Sequence, residues 1–453
     1  MSTVFFIFFI VIELAQVVLA FTKAREKAAW LRTRAVVRLV ETLTLLGVIV
    51  IPSTHMKWRF AVCMVILIIR LLVAGIAWLA GRNKATGLKN RALAVLSFLF
   101  SVIIVTLSLA PAFIFTNYNG LPTTGEFGVK AASAILVDES RTDTFENDGS
   151  FREVPVHFYY PDTESGSYPL VVFSHGAFGY YQSNFSTYEE LASNGYVVAA
   201  LDHPHHAFFT TDTQGSTVIV DQKFINDALN INSEDVTEDQ IFNTTHEWIQ
   251  LRTDDENFVL DTIKDAKKSS ALSDAWHTEN TEDVLSILKM TDTEKIGLMG
   301  HSLGGATSVT VGRQRDDIDA VIDLDGTMLG ERVAITNGKY ENYAEAYPVP
   351  VLDFTKEQDY NDREQYQNEN GYAYVNDDVI KNAKDGRTVV FSGVGHMDFT
   401  DLPLISPTLA AMLDNGQTEV DNEEFMTLIN GIVLNWFDYY LKGEGTLDIQ
   451  ANY

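Results

Sequence analysis

Hydrophobic positions along the chain follow two regimes that change near residue 118. Before that point come four apolar stretches, Val4 to Phe21, Ala35 to Ile51, Phe60 to Ala80 and Ala92 to Phe115. Each is near or above the ~20 residues that cross a hydrocarbon core as a helix, and each is bounded by charge or by Pro and Gly. After it, short β-branched or aromatic runs alternate with longer helical stretches, the signature of a mostly parallel sheet with helices on both faces. The strand candidates are Val154 to Tyr160, Leu170 to Ser174, Val197 to Leu201, Ile296 to Met299, Ala320 to Asp323, Val349 to Phe354 and Thr388 to Phe391. Acidic, Asn-rich stretches around Gln214 to Asp254 and Glu357 to Asp385 read as surface excursions or a cap on this sheet. The pattern predicts a transmembrane region of about four helices over 1–117 and an α/β domain over 118–453.

Charge sharpens that division. Met1 to Asn119 carries 13 Lys and Arg against three Glu and no Asp, which leaves 20 basic and 58 acidic residues for the remainder. So acidic a domain excludes nucleic acid as a partner. Basic residues gather between the first and second stretches (Lys23, Arg25, Lys27, Arg32, Arg34) and between the third and fourth (Arg82, Lys84, Lys89, Arg91), against Lys57 and Arg59 between the second and third. By the positive-inside rule both rich loops are cytoplasmic, and everything after Phe115 faces outward as part of a multi-pass protein of the cell membrane. That parity requires the second stretch to span, although it holds Arg38 and Glu41. Glu13, Gln16 and Arg70 fall at membrane depth, where pairing between helices or snorkelling is expected. The single cysteine, Cys63, lies in an apolar run, so cysteine-based catalysis and Cys-ligated zinc are excluded from the acidic domain.

The sharpest local signal is Gly300-His301-Ser302-Leu303-Gly304-Gly305, directly after one strand candidate and before a helical run to about Arg315. A serine hydroxyl becomes a useful nucleophile when a strand-to-helix turn holds it exposed, and flanking glycines permit that turn. This is the nucleophile elbow of an α/β-hydrolase fold, in which the chain order is Ser, then Asp or Glu, then His. His396 is the only histidine after Ser302 and follows a strand through a glycine loop, which makes it the expected base. The acid is left between Asp325, at the carboxyl end of its strand, and Asp353, after Val349 to Leu352. Two N–H donors are expected to hold the oxyanion: Leu303, next after the nucleophile, and Ala177, in the loop Ser174-His175-Gly176-Ala177-Phe178-Gly179. Asp202-His203-Pro204-His205-His206 resembles a metal site, but no carboxylate or cysteine cluster completes it and serine hydrolysis needs no metal. No metal or other cofactor is expected, and these residues read as loop or pocket wall. Phe178, Tyr180, Tyr181, Phe208 and Phe209 are candidates for an apolar acyl pocket.

Taken in order, Tyr168-Pro-Leu-Val-Val-Phe-Ser-His-Gly176, Gly195-Tyr-Val-Val-Ala-Ala200, Gly300-His-Ser-Leu-Gly-Gly-Ala306, Leu324-Asp-Gly326 and Phe391-Ser-Gly-Val-Gly-His396 carry a further signal. Together they resemble the platelet-activating factor acetylhydrolases of the lipoprotein-associated phospholipase A2 type and their bacterial dienelactone-hydrolase-like relatives, over most of Gly120 to Gly445. The resemblance implies Ser302 as nucleophile, Asp325 rather than Asp353 as acid, His396 as base, and Leu303 and Ala177 as oxyanion donors. It also implies removal of short or oxidised acyl chains from phospholipids and other esters. A strongly acidic domain repels anionic head groups at low salt, so neutral short-chain ester or lipid substrates fit it best. Two other readings share the pattern: an acyltransferase using the same triad, and a non-catalytic surface receptor that keeps the fold for binding.

Overall fold

The structure, a computed structural model, describes all of the chain except residues 23–25, 82, 88–89, 234, 337 and 417. Lys23, Arg25, Arg82 and Lys89, which enter the loop charge above, lie outside the described residues. The chain forms two compact units, one of Met1–Gly120 with Pro403–Leu413 and one of Leu121–Leu402 with Asp414–Tyr453. An eleven-residue piece of the C-terminal half thus belongs to the N-terminal unit. Thr116 binds it through its backbone N–H to the Ile405 carbonyl at 2.8 Å and through its hydroxyl to that of Leu404 at 2.7 Å.

The N-terminal unit is built on α1 (Ser2–Thr22), α2 (Lys27–Val50), α3 (Ala61–Gly81) and α4 (Arg91–Ser108). Phe5, Phe9, Leu45, Phe60, Cys63, Leu67 and Val105 fill its centre, while Ile7, Val11, Leu43, Leu72, Ile76 and Ile103 stand exposed. Apolar side chains both inside and outside are what a lipid solvent requires. Three helices, Ser2–Phe21, Lys57–Gly81 and Arg91–Ser108, are long and apolar enough to cross a membrane. The expected span from Ala35 to Ile51 forms a helix but falls outside that set, because α2 carries charge. Arg38 and Glu41 of α2 point inward, however, and are buried. Arg38 binds Glu13 and both oxygens of Glu41 at 2.9 Å, Arg70 binds Glu13 at 2.5 Å, and Gln16 donates to Glu13 at 3.1 Å. The expected pairing between helices is thus present.

The second unit contains a nine-stranded mixed sheet. Its strands are β1 (Val129–Thr142), β2 (Phe151–Pro161), β3 (Tyr168–Ser174), β4 (Val197–Leu201), β5 (Trp276–His277), β6 (Thr291–His301), β7 (Ala320–Leu324), β8 (Val351–Lys356) and β9 (Gly386–Phe391). They lie in the order β9-β8-β7-β6-β3-β4-β2-β1-β5, parallel from β9 to β4 and antiparallel from β4 to β5. All seven strand candidates are present; β1, the short β5 and two small hairpins (Phe209–Thr211 with Thr217–Ile219, Arg332–Thr336 with Lys339–Asn342) add to them.

Alternate strand residues feed two cores, as a pleat covered on both sides demands. Val172, Ala199, Leu298 and Val321 pack under α7 (Glu238–Ser269) and α8 (Leu303–Gln314), whereas Val171, Val198, Met299 and Ile322 pack under α5 (Phe185–Ser193) and α11 (Asn422–Phe437). The two acidic excursions are helical: α6 (Gln222–Asn230) and most of α7 in the first, α9 (Glu357–Asn370) and α10 (Val375–Asn382) in the second. They are not merely surface, since Phe224 of α6 and Ile249 of α7 are buried and Val375 and Val379 of α10 belong to the core.

Candidate active site

At the carboxyl end of the parallel strands the chain leaves β6, places Ser302 at φ 56°, ψ −122°, and enters α8. A positive φ at a residue with a side chain is strained and persists only where its surroundings impose it. Here the Ser302 N–H is fixed by the Leu324 carbonyl of β7 at 2.9 Å. Glycine at 304 is obligatory, because a Cβ there would lie 1.9 Å from the Ser174 carbonyl oxygen. Leu303 is the first residue of α8, where a backbone N–H has no intrahelical acceptor.

Asp325 follows β7, also at a positive φ of 56°, with its N–H on the Phe354 carbonyl of β8 at 2.9 Å. His396 begins a 3-10 turn after β9 and brings Nδ1 to 2.6 Å from Asp325 Oδ2. Burial pushes the Asp325 carboxyl up, and the hydrogen bond from His396 opposes this. The histidine loop is held from several sides. His301 Nε2 donates to the His396 carbonyl at 3.1 Å, Asp414 accepts the Met397 N–H at 3.1 Å, and Asp398 accepts that of Gly395 at 2.8 Å. The His301 and His396 rings lie 4.5 Å apart, which sets the imidazole beside the residue that precedes Ser302. The Ser302 hydroxyl makes no hydrogen bond to a described residue, and such bonds commonly tighten only when substrate arrives.

Asp353, the other acid weighed from the sequence, does not meet His396. It is fully buried in β8 and binds Arg363 at 2.6 Å, Asn376 at 3.0 Å and Thr388 at 3.2 Å. Asp323 sits opposite it in register, and burial with that neighbour pushes its carboxyl well above the usual range.

The loop after β3 presses on the serine turn: a Cβ on Gly176 would lie 2.8 Å from His301 Nδ1 and 3.2 Å from Ser302 Cβ. Among the described residues the Ala177 N–H meets no acceptor, and its neighbour Phe178, at φ 61°, donates to the His206 carbonyl. Behind this loop lies a polar network that the sequence reading missed. Arg252 of α7, wholly buried, reaches the carbonyl of His175 at 2.5 Å, that of Gly176 at 3.4 Å and His206 Nδ1 at 3.2 Å. Burial pulls this guanidinium down to about 9, so it is charged at neutral pH. The Ser174 hydroxyl meets His203 Nε2 at 2.7 Å, and His203 Nδ1 meets Asp255 Oδ2 at 3.0 Å. This repeats a Ser-His-Asp order with no access to solvent. Its histidine is held at about 4 by burial, and its carboxylate is gripped by Arg152 at 2.8 Å. Its role is to brace the loop. The signal for it was a helix carrying Arg252, Asp255 and Glu256 on one face, which composition alone assigns to solvent.

The histidines singled out as metal-like serve packing and bracing. His205 stacks on Phe145 at 4.4 Å and His206 on Phe224 at 3.9 Å. Of the expected pocket aromatics, Phe178 joins Phe224, Trp248, Val220 and Leu329 in an apolar cluster with Ala177 and Leu303. The others lie elsewhere: Tyr180 packs on Phe209 at 5.3 Å, Tyr181 stacks on His157 at 3.4 Å, and Phe208 is exposed.

Known proteins are similar to this chain. A solved ferulic acid esterase from Streptomyces cinnamoneus superposes with a TM-score of 0.53 at 22% identity, over 73% of this chain and 95% of the other, a likeness of fold. Platelet-activating factor acetylhydrolases of Cavia porcellus and Gallus gallus are 24% and 23% identical over 314 and 295 residues, or 65% and 61% of this chain. The chain spans 63% and 62% of their respective lengths. The family described as platelet-activating factor acetylhydrolase, isoform II, matches residues 149–448, and the chain belongs to that family.

Proposed function

We propose that the chain hydrolyses carboxylic esters through an acyl-enzyme on Ser302, with His396 as base, Asp325 as its orienting carboxylate, and the Leu303 and Ala177 N–H groups as oxyanion hole. The observation that carries this reading is the 2.6 Å bond between His396 Nδ1 and Asp325 Oδ2 beside the strained serine turn. His396 Nε2 takes the Ser302 proton as Oγ bonds to the ester carbonyl carbon, while Nδ1–H remains directed at Asp325. The oxyanion then collapses, the bond to the alcohol oxygen breaks, and that oxygen receives the proton from Nε2. Water repeats the sequence on the acyl-serine and releases the acid. Short-acyl lipid or phospholipid-like esters are the substrates this reading favours, supported by the apolar cluster of Phe178, Phe224 and Trp248 beside both donors and by the name its relatives carry. Replacing Ser302 with Ala should lower p-nitrophenyl acetate turnover by about 10⁶-fold and abolish fluorophosphonate labelling; turnover that survives the change would refute the assignment.

The same reading extends to the bundle. All four helices cross a bilayer, because Arg38 and Glu41, the charges within the apolar stretch of α2, are turned inward and meet Glu13 and Arg70, and the hydrolase unit then faces outward. Cys63 is buried, so a Ser165→Cys variant offers one exposed thiol. Its modification by an impermeant maleimide in intact cells is the expected result, and protection until lysis would reverse the orientation.

A further inference from the structure

The N-terminal unit encloses a cavity of about 300 Å³ between α1, α2 and α4. Among the described residues its wall carries three cations, Lys27, Arg34 and Arg38, against one carboxylate, Glu13. The deeper charges balance: Arg38 and Arg70 face Glu13 and Glu41. Lys27 and Arg34 have no such partner, for among the described residues neither makes an ion pair, and Arg34 reaches only the Ser97 hydroxyl at 3.4 Å. An arginine left uncompensated at the edge of an apolar bundle is unfavourable unless an anion joins it. The positive end of α4, which Asn90 caps at this cavity, adds to the same potential. The remaining wall is mixed, with Gln16, Thr86, Asn90 and Ser97 on its polar side and Val17, Trp30, Leu31, Leu93 and Ala94 forming an apolar side.

We propose that this cavity binds the head group of an anionic phospholipid, its phosphodiester held by Arg34 and Lys27 and its glycerol and upper acyl chains resting on Trp30, Leu31 and Leu93. A planar guanidinium with an ammonium beside it matches phosphate oxygens, and basic pockets between membrane helices take lipid head groups on the cytoplasmic side. The apolar half of the wall favours a lipid over free phosphate, which offers it nothing to cover. A zwitterionic head group carries its own cation toward two others, so net negative charge is selected. This inference rests on the bundle spanning a bilayer.

The test uses the full chain, delipidated in neutral detergent, with thermal unfolding followed as phosphatidylglycerol, phosphatidylcholine or sodium phosphate is added. Phosphatidylglycerol alone should raise the midpoint. Arg34→Gln should weaken its apparent affinity about tenfold, and Lys27→Gln, at an exposed side chain, should weaken it less while leaving folding intact. Neither change should alter p-nitrophenyl acetate turnover. Equal shifts from both lipids, an equal response of wild type and both variants, or the same shift from phosphate alone would overturn the proposal. An alkaline carbonate wash separates the two readings: release of the chain from membranes removes the spanning bundle itself, whereas retention without lipid discrimination removes only the head-group site.

Discussion

Replacing each of two buried aspartates by asparagine separates the carboxylate that serves His396 from the one that serves the fold. In Asp325→Asn the 2.6 Å partner of His396 Nδ1 loses its charge, and an amide N–H directed at Nδ1 places the imidazole proton on Nε2, where it blocks the base. Triads that lose this group fall by about 10⁴ in kcat, equivalent to about 5 kcal/mol of transition-state stabilisation. Asp353→Asn leaves His396 untouched but deprives Arg363, 6% exposed, of its 2.6 Å carboxylate. Removing one partner of a buried pair costs about 3–5 kcal/mol, which for a unit of this size lowers the unfolding midpoint by about 4–7 °C. The assay is p-nitrophenyl acetate turnover normalised to the folded fraction from near-UV circular dichroism, with the midpoint read on the same samples. Turnover per folded molecule should drop for Asp325→Asn alone, and the midpoint should drop mainly for Asp353→Asn. A folded Asp353→Asn protein as inactive as Asp325→Asn, or an Asp325→Asn protein within tenfold of wild type, would refute the assignment.

Three other changes probe the surroundings. Glu256 is wholly buried with no partner for either carboxylate oxygen among the described residues, and burial pushes its carboxyl up to about 8. The unfolded chain releases this proton near 4.5, so between that pH and about 8 the native state holds the extra proton and loses ~1.4 kcal/mol of stability per pH unit as pH rises. Glu256→Gln should flatten that fall in urea titrations at pH 5 to 8, and parallel curves for the two proteins would contradict it. Gly176→Ala drives a Cβ to 2.8 Å from His301 Nδ1, so the Ala177 N–H should shift and kcat fall by about 10²- to 10³-fold, and a loss under threefold counts against Ala177 as a donor. Arg252→Lys keeps the charge but cannot hold both the His175 and Gly176 carbonyls, so kcat should fall about tenfold with KM little changed; a fall in stability alone would make Arg252 merely structural.

Much of this arrangement is legible in the residues themselves. Parallel strands buried on both faces are continuous apolar runs, so Leu170 to Ser174 and Val197 to Leu201 announce themselves. By contrast β1, rich in Ala and Ser and paired antiparallel near the sheet edge, sends only Ala134, Leu136 and Asp138 into buried positions and lacks such a run. Charge misleads in the other direction on α7, where Arg252, Asp255 and Glu256 read as solvated yet are fully buried: Asp255 meets Arg152 and His203, and Arg252 the His175 carbonyl, 52 to 103 residues away along the chain, while Glu256 has no hydrogen-bond partner among the described residues. Composition reports the sign of a side chain, and only the fold reports which groups it faces. The same limit explains α2, which its charges set apart from the three apolar helices although Glu13 and Arg70 meet Arg38 and Glu41 inside the bundle.

Strand order decides what spacing along the chain cannot. Ser302 follows β6 and Asp325 follows the adjacent β7, whereas His396 comes from the loop after β9, so the imidazole must reach back across β8. Asp353 lies on that intervening strand, and sequence alone leaves it in contention because it too follows an apolar strand run, Val349 to Leu352. It stands, however, within β8 and opposite Asp323, whereas Asp325 lies one residue beyond the end of β7. A carboxyl inside the ladder is enclosed by both neighbouring strands and the helices above them, and Arg363 neutralises it there. One past the end projects above the rim, where a loop can meet it. The positive φ at Asp325 and Ser302 is the conformational cost of reaching that rim, about 1–3 kcal/mol each. Both are anchored by an N–H that still bonds to the adjacent strand at 2.9 Å, Ser302 to Leu324 and Asp325 to Phe354. The sheet therefore holds the Ser302 and Asp325 backbones directly, whereas the His396 imidazole is held through a loop that Asp398 and Asp414 fasten.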